Sequence, residues 1–258
     1  MFILYLAVAL LATFIGSMTG MGGGIIMKPV MDAMGHFSTP DINILSSVSV
    51  FAMSALSCSR RLWGRKNRVL SFSASRIVVL CLGSVCGGYI GQLLFSLAEG
   101  VFPRLKAFQN LLMLVLVAFI FFYMLFKERL PRLRLTGITS FALVGLFMGV
   151  LSSFLGIGGG PVNVALLTFC FSMAIKEAVL VSLLSVLFTQ SSKLLTVAFT
   201  TGFGGFDLSM LPFAVIGALI GATLGSSLAK RLSQRATNIL FCSAQILIFF
   251  ICLYNIFS

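Results

Sequence analysis

Apolar runs of helical length follow one another from end to end of the chain. They fall at about 1–19, 25–34, 42–58, 77–98 and 107–126, then at about 136–155, 161–172, 178–200, 208–229 and 236–257. A helix needs about 20 apolar residues to cross a bilayer. Eight runs suit that length, while 25–34 and 161–172 are too short to cross alone. Each short run follows a glycine cluster: Gly20, Gly22, Gly23 and Gly24 before the first, Gly156, Gly158, Gly159 and Gly160 before the second. Each Gly costs a helix about 1 kcal/mol relative to Ala, so such a cluster is a break. A break at membrane depth exposes backbone N–H and C=O groups and is tolerated only against protein or a watery cavity. The pattern therefore predicts two half-helices, each opening from a glycine turn.

The two halves repeat. An offset of 136 residues carries Gly20 onto Gly156 and Gly22–Gly24 onto Gly158–Gly160, and with them Ser17 onto Ser153, Asp41 onto Glu177, Ser46 onto Ser182 and Ser49 onto Ser185. With a slip of two residues, the ladder Gly83, Gly87, Gly91 falls on Gly217, Gly221, Gly225, and small residues every fourth position let membrane helices approach closely. Residues 1–130 form one repeat and 131–258 the other. Loop charge gives their relation. With equivalent loops on opposite sides, segments 59–76, 127–135, 173–177 and 230–235 share a face and hold 14 basic residues, against 2 on the other. Basic residues collect on the cytoplasmic side, so the repeats are expected to be inverted, with both termini outside. The fold class is an all-α integral membrane protein of two inverted repeats of four to five helices each, with broken first helices and short half-helices.

Composition agrees. Of 258 residues, 59% are hydrophobic and 9% charged, with a mean hydropathy of +1.11, whereas soluble domains carry about 25% charged residues. The net charge of +12 is assigned to orienting loops facing the cytoplasm and not to nucleic acid. Residues 1–19 lack a basic leader and a small-residue cleavage site, so they read as an uncleaved helix. Six cysteines without a CxxC spacing read as buried small hydrophobes, and His36 alone builds no metal site. No cofactor is expected. Neither glycine motif carries a Gly-x-Ser-Gly nucleophile, which argues against an intramembrane protease.

The chemistry therefore falls to the turns. Successive glycines can present backbone N–H groups as an anion-binding concavity, and a half-helix starting there adds the positive end of its dipole. Pro161 suits the first turn of such a helix. Lys28, one turn into the first half-helix, is either an anion ligand or a lysine snorkelling to the outer interface. Lys193 stands beside Thr189, Gln190, Ser191 and Ser192 in a helix otherwise apolar, and Ser49 belongs to a serine-rich stretch in the matching helix. Asn163 follows the second turn. These donors suit an oxyanion, although hydroxyls often bond back to their own helix. Asp41 and Glu177 sit at equivalent helix starts, where capping or dipole compensation is the simpler reading and proton coupling the alternative, and no carboxylate lies deep within a long apolar run.

The doubled Gly-x-Gly-Gly-Gly turn, Gly20–Gly24 and Gly156–Gly160, opening two inverted halves resembles the TauE/SafE sulfite exporter family over the whole chain. The resemblance implies a small inner-membrane permease for sulfite, sulfoacetate or another organosulfur anion, working by alternating access on a proton or other ion gradient. It assigns only the glycine turns as site residues. The alternatives are a permease for a carboxylate or metal cation, and a non-transporting membrane assembly protein. The glycine ladders suit internal packing or a homodimer equally.

Overall fold

In the computed structural model, residues 2–63, 72–101, 105–126 and 133–257 are described. They form ten helices: α1 (Phe2–Thr19), α2 (Gly24–Met34), α3 (Thr39–Trp63), α4 (Ala74–Val101), α5 (Leu105–Phe126), α6 (Ile138–Leu155), α7 (Gly160–Phe171), α8 (Ile175–Thr200), α9 (Leu211–Ala229) and α10 (Gln234–Phe257). Among the described residues there is no strand. Every predicted run is a helix, and eight helices are long and apolar enough to cross a membrane. The loops 59–76, 99–106 and 127–135, which carry much of the charge argument, lie partly outside the described residues.

The two short helices form as the sequence dictates. α1 ends at Thr19, and Gly20 turns the chain with φ +76°. α2 opens at Gly24 and stops at Gly35, a left-handed C-cap that glycine adopts without steric cost. α7 has Pro161 in its first turn, where a missing N–H removes no helical bond. It stops at Ser172, the one non-glycine residue with positive φ among those described.

Helices α3 and α8 form the centre. Of their apolar windows 67% is buried, against 33–44% for the other six spans. The outer helices turn large apolar side chains outward, among them Phe119, Leu143 and Phe250, as a lipid-facing surface requires.

Both glycine ladders pack inside the chain, each on the opposite half. A methyl group added to Gly83, Gly87 or Gly91 of α4 would overlap the carbonyl of Ala142, Leu146 or Val150 of α6. One added to Gly217, Gly221 or Gly225 of α9 would overlap the carbonyl of Leu6, Leu10 or Phe14 of α1. Backbone thus lies on backbone along several helical turns, and neither ladder is free for a second copy. Gly87→Ala is expected to destabilise the protein by about 1–3 kcal/mol, the usual cost of overpacking. Gly100→Ala, which meets nothing within 4 Å, is expected to be neutral or up to ~1 kcal/mol stabilising. Thermal unfolding of the two purified variants in detergent checks both.

Candidate functional site

The two glycine turns touch. A methyl group at Gly22 would overlap the Gly158 carbonyl, and one at Gly24 would lie 2.6 Å from the Ile157 carbonyl oxygen. Gly22 (φ +62°) and Gly158 (φ +66°) also have left-handed backbones, so a side chain there is excluded twice over.

The surrounding contacts are reciprocal at the 136-residue offset. Ser46 Oγ donates to the Gly156 carbonyl (3.4 Å), and Ser182 Oγ donates to the Gly20 carbonyl (2.7 Å). Val50 packs on Gly158 and Val186 on Gly22. Gly20 faces Val179, while Gly156 faces Asn43. Such exchange of partners is the signature of a two-fold contact.

The chemistry around this contact is not symmetric, and its polar groups gather at the second turn. A methyl group on Gly158 would sit 3.3 Å from Gln190 Nε2, and one on Gly159 would sit 2.5 Å from Asn163 Nδ2. Ser152 and Ser153 form the last turn of α6 just before it. Lys193 follows Gln190 by three residues on α8 and so shares its face. Asn43, Ser152, Ser153, Asn163, Gln190 and Lys193 are each at most 1% exposed. Among the described residues their side-chain amide, hydroxyl and ammonium groups have no hydrogen-bond partner. Nor does any backbone carbonyl among those residues accept from the N–H groups of Gly22, Gly23, Gly158 or Gly159. Buried polar groups are nearly always bonded. A cluster left open at one place is what a ligand or bound water would fill.

Lys28 lies inside the bundle, beside the second turn. It is 1% exposed and does not reach an interface, which corrects the snorkelling alternative. Its Nζ donates to Gln109 Oε1 (2.6 Å) and to the Leu155 carbonyl (2.7 Å), while Gln109 Nε2 donates to the Phe154 carbonyl (2.6 Å). Lysine and glutamine together cover the carbonyl end of α6, the negative end of its dipole. They remove the partial charge that would repel an anion at the adjoining turn. Nζ lies 3.4 Å from where a Gly156 methyl would stand, so its charge is felt there. Arg61 Nη2 covers the Ser17 carbonyl near the end of α1 (2.5 Å).

The other candidates divide. Gly20, Gly22, Gly23, Gly24, Gly156, Gly158, Gly159 and Gly160 are brought together, with Asn163, Gln190 and Lys193 about the second turn. Ser49 is not part of this group of open donors: its hydroxyl donates to the Leu45 carbonyl of its own helix (2.8 Å). Asp41 accepts from Ser38 Oγ (2.5 Å) and from the N–H of Asp207 (3.0 Å), a capping arrangement outside the site. Asn43, Gln109, Ser152 and the buried Asp32 were not singled out by the sequence. A lone amide or acid in an apolar run was the available signal.

A bundle of eight membrane-length helices around two touching helix breaks, lined by buried polar donors, defines a polytopic membrane transporter. The chain belongs to the sulfite exporter TauE/SafE family, which matches residues 5–251. No curated protein and no solved structure matches the chain.

The two lysines are expected to behave oppositely. Lys28→Met strands Gln109 Oε1 and the Leu155 carbonyl and removes a buried charge that Asp32 feels, at about 3–5 kcal/mol. Lys193→Met removes a group without a partner and should leave the melting temperature unchanged or higher, while flux falls below a tenth of wild type, a loss of roughly 1.4 kcal/mol or more in transition-state binding. Unfolding curves and flux on the same preparations read both.

Proposed function

We propose that the protein is a secondary transporter that carries a small sulfur-containing oxyanion, such as sulfite or an organosulfonate, across the cytoplasmic membrane. The halves are inverted, with both termini outside, and rock about the touching turns to expose the site to either face in alternation. One observation carries this reading: the buried, unbonded donors of Asn43, Ser152, Asn163, Gln190 and Lys193 around the second glycine turn. Amide N–H₂, hydroxyl and ammonium groups with backbone N–H groups suit the several oxygens of a tetrahedral or pyramidal anion. Lys193 within the cluster disfavours a cation. In that cycle the fully buried cluster belongs to the state closed to both sides. Family membership supports the sulfur anion over other solutes.

The test is uptake of labelled sulfite into proteoliposomes, competed by sulfate, taurine, sulfoacetate and acetate. Saturable flux inhibited by sulfonates but not acetate is expected. Competition by acetate alone would replace the sulfur anion with a carboxylate. Absence of flux with every solute would remove the transport reading. Gly159→Leu, which drives a side chain into Asn163 and Val186 at a backbone with φ +103°, is expected to abolish flux while the protein still inserts in the membrane.

A further inference from the structure

We propose that Asp32 is the proton-binding group that couples anion movement to a proton gradient, with Lys28 as the link between it and the anion site. This rests on the transport reading above. Asp32 lies in α2, one turn beyond Lys28 and on the same face, and the two are 3% and 1% exposed. A carboxylate so far out of water is costly unless a charge compensates it, and Asp32 acts electrostatically on Lys28. Ionisable groups held inside a membrane are by default functional. Lys28 is also the charge that acts on Lys193, and its ammonium adjoins Gly156 of the second turn. An acid, a lysine and a second lysine thus run from α2 to the anion cluster.

The position of Asp32 suits proton access. Ala33, next in sequence, is exposed, and α2 ends at Gly35 near one surface of the bundle. α2 packs on α1, α3 and α10, and the titratable groups of those helices are mostly committed or distant. On α10, Cys252 faces Asp32 electrostatically, Tyr254 is 62% exposed, and Arg235 and Cys242 lie further along the helix. Tyr5 of α1 bonds His36, just beyond α2 (3.2 Å). On α3, Asp41 is tied to Ser38, and Cys58, Arg60 and Arg61 lie at the far end.

The coupling is electrostatic. One proton adds to one carboxylate oxygen of Asp32 and no other bond changes. The counter-charge of Lys28 is then removed, and Lys28 and Lys193 together meet the anion with more positive charge. Proton binding favours anion binding, and by thermodynamic reciprocity the anion favours the proton. The two therefore cross together, and acid on one side drives the anion toward the other.

The test uses labelled sulfoacetate, whose charge stays constant around neutral pH, in two proteoliposome assays: counterflow at equal pH, and uptake against acid outside. Wild type is expected to show both. If it shows neither, the transport reading for sulfonates fails, and this inference with it. Asp32→Asn is expected to keep counterflow within about threefold of wild type, to lose its pH dependence, and to lose gradient-driven accumulation by about tenfold or more. Asp32→Glu is expected to restore accumulation. Gradient-driven accumulation that survives in Asp32→Asn overturns the proposal. So does loss of counterflow in both Asp32→Asn and Asp32→Glu, which would make the carboxylate a structural counter-charge only.

Discussion

Backbone polar groups cannot be left open to hydrocarbon, and the whole bundle is arranged around that constraint at two places. Each broken helix needs protein or a watery cavity against its turn, and here the turns lie against each other while Ser182 and Ser46 bond the Gly20 and Gly156 carbonyls. Gly22 lies on the Gly158 carbonyl and Gly24 on that of Ile157. Contact so close admits no side chain. It also requires the legs that carry the turns to be held in register, and the glycine ladders do this. The ladder of α9 grips α1, which leads into the first turn, and the ladder of α4 grips α6, which leads into the second. Each half therefore positions the other half's break.

Geometry repeats between the halves, but chemistry does not. At the 136-residue offset, Lys28 corresponds to Val164, Asn43 to Val179, Gln190 to Ser54 and Lys193 to Ser57. Gln245 corresponds to Gln109, yet with Val164 in the place of a lysine its buried amide has no partner among the described residues. The first turn is lined chiefly by apolar groups and the second by donors. A scaffold with near two-fold contacts thus carries one polar site, and Lys28 of the first half screens the carbonyl end of the helix leading into the second turn.

The fold was largely legible in sequence because its determinants are local and periodic. Run length gave the helices, Gly and Pro gave the breaks, and spacing of four gave the ladders. The site was legible in part. Glycine clusters announce themselves, and Gln190 and Lys193 stand out in an apolar helix. Asn43, Ser152 and Gln109 did not, since their importance comes from the turn they meet across the bundle, at separations that no local pattern encodes. Lys28 shows the limit from the other side. Its position was conspicuous, but whether it served an anion, an interface or a helix end depended on Gln109 and Leu155, 81 and 127 residues away. Ser49 was as conspicuous as its neighbours, but its hydroxyl donates to Leu45 of its own helix, an option open to any helical hydroxyl.

The central claim is that an anion binds where the two turns meet, on the side of the second. The most direct measurement is a structure of the purified protein with selenite, the selenium counterpart of sulfite, located by anomalous scattering. A single selenium peak within hydrogen-bonding reach of the Gly158–Gly159 backbone, Asn163 and Gln190, close to Lys193, is the predicted result. A peak elsewhere in the bundle, in a protein that transports selenite saturably, would contradict it.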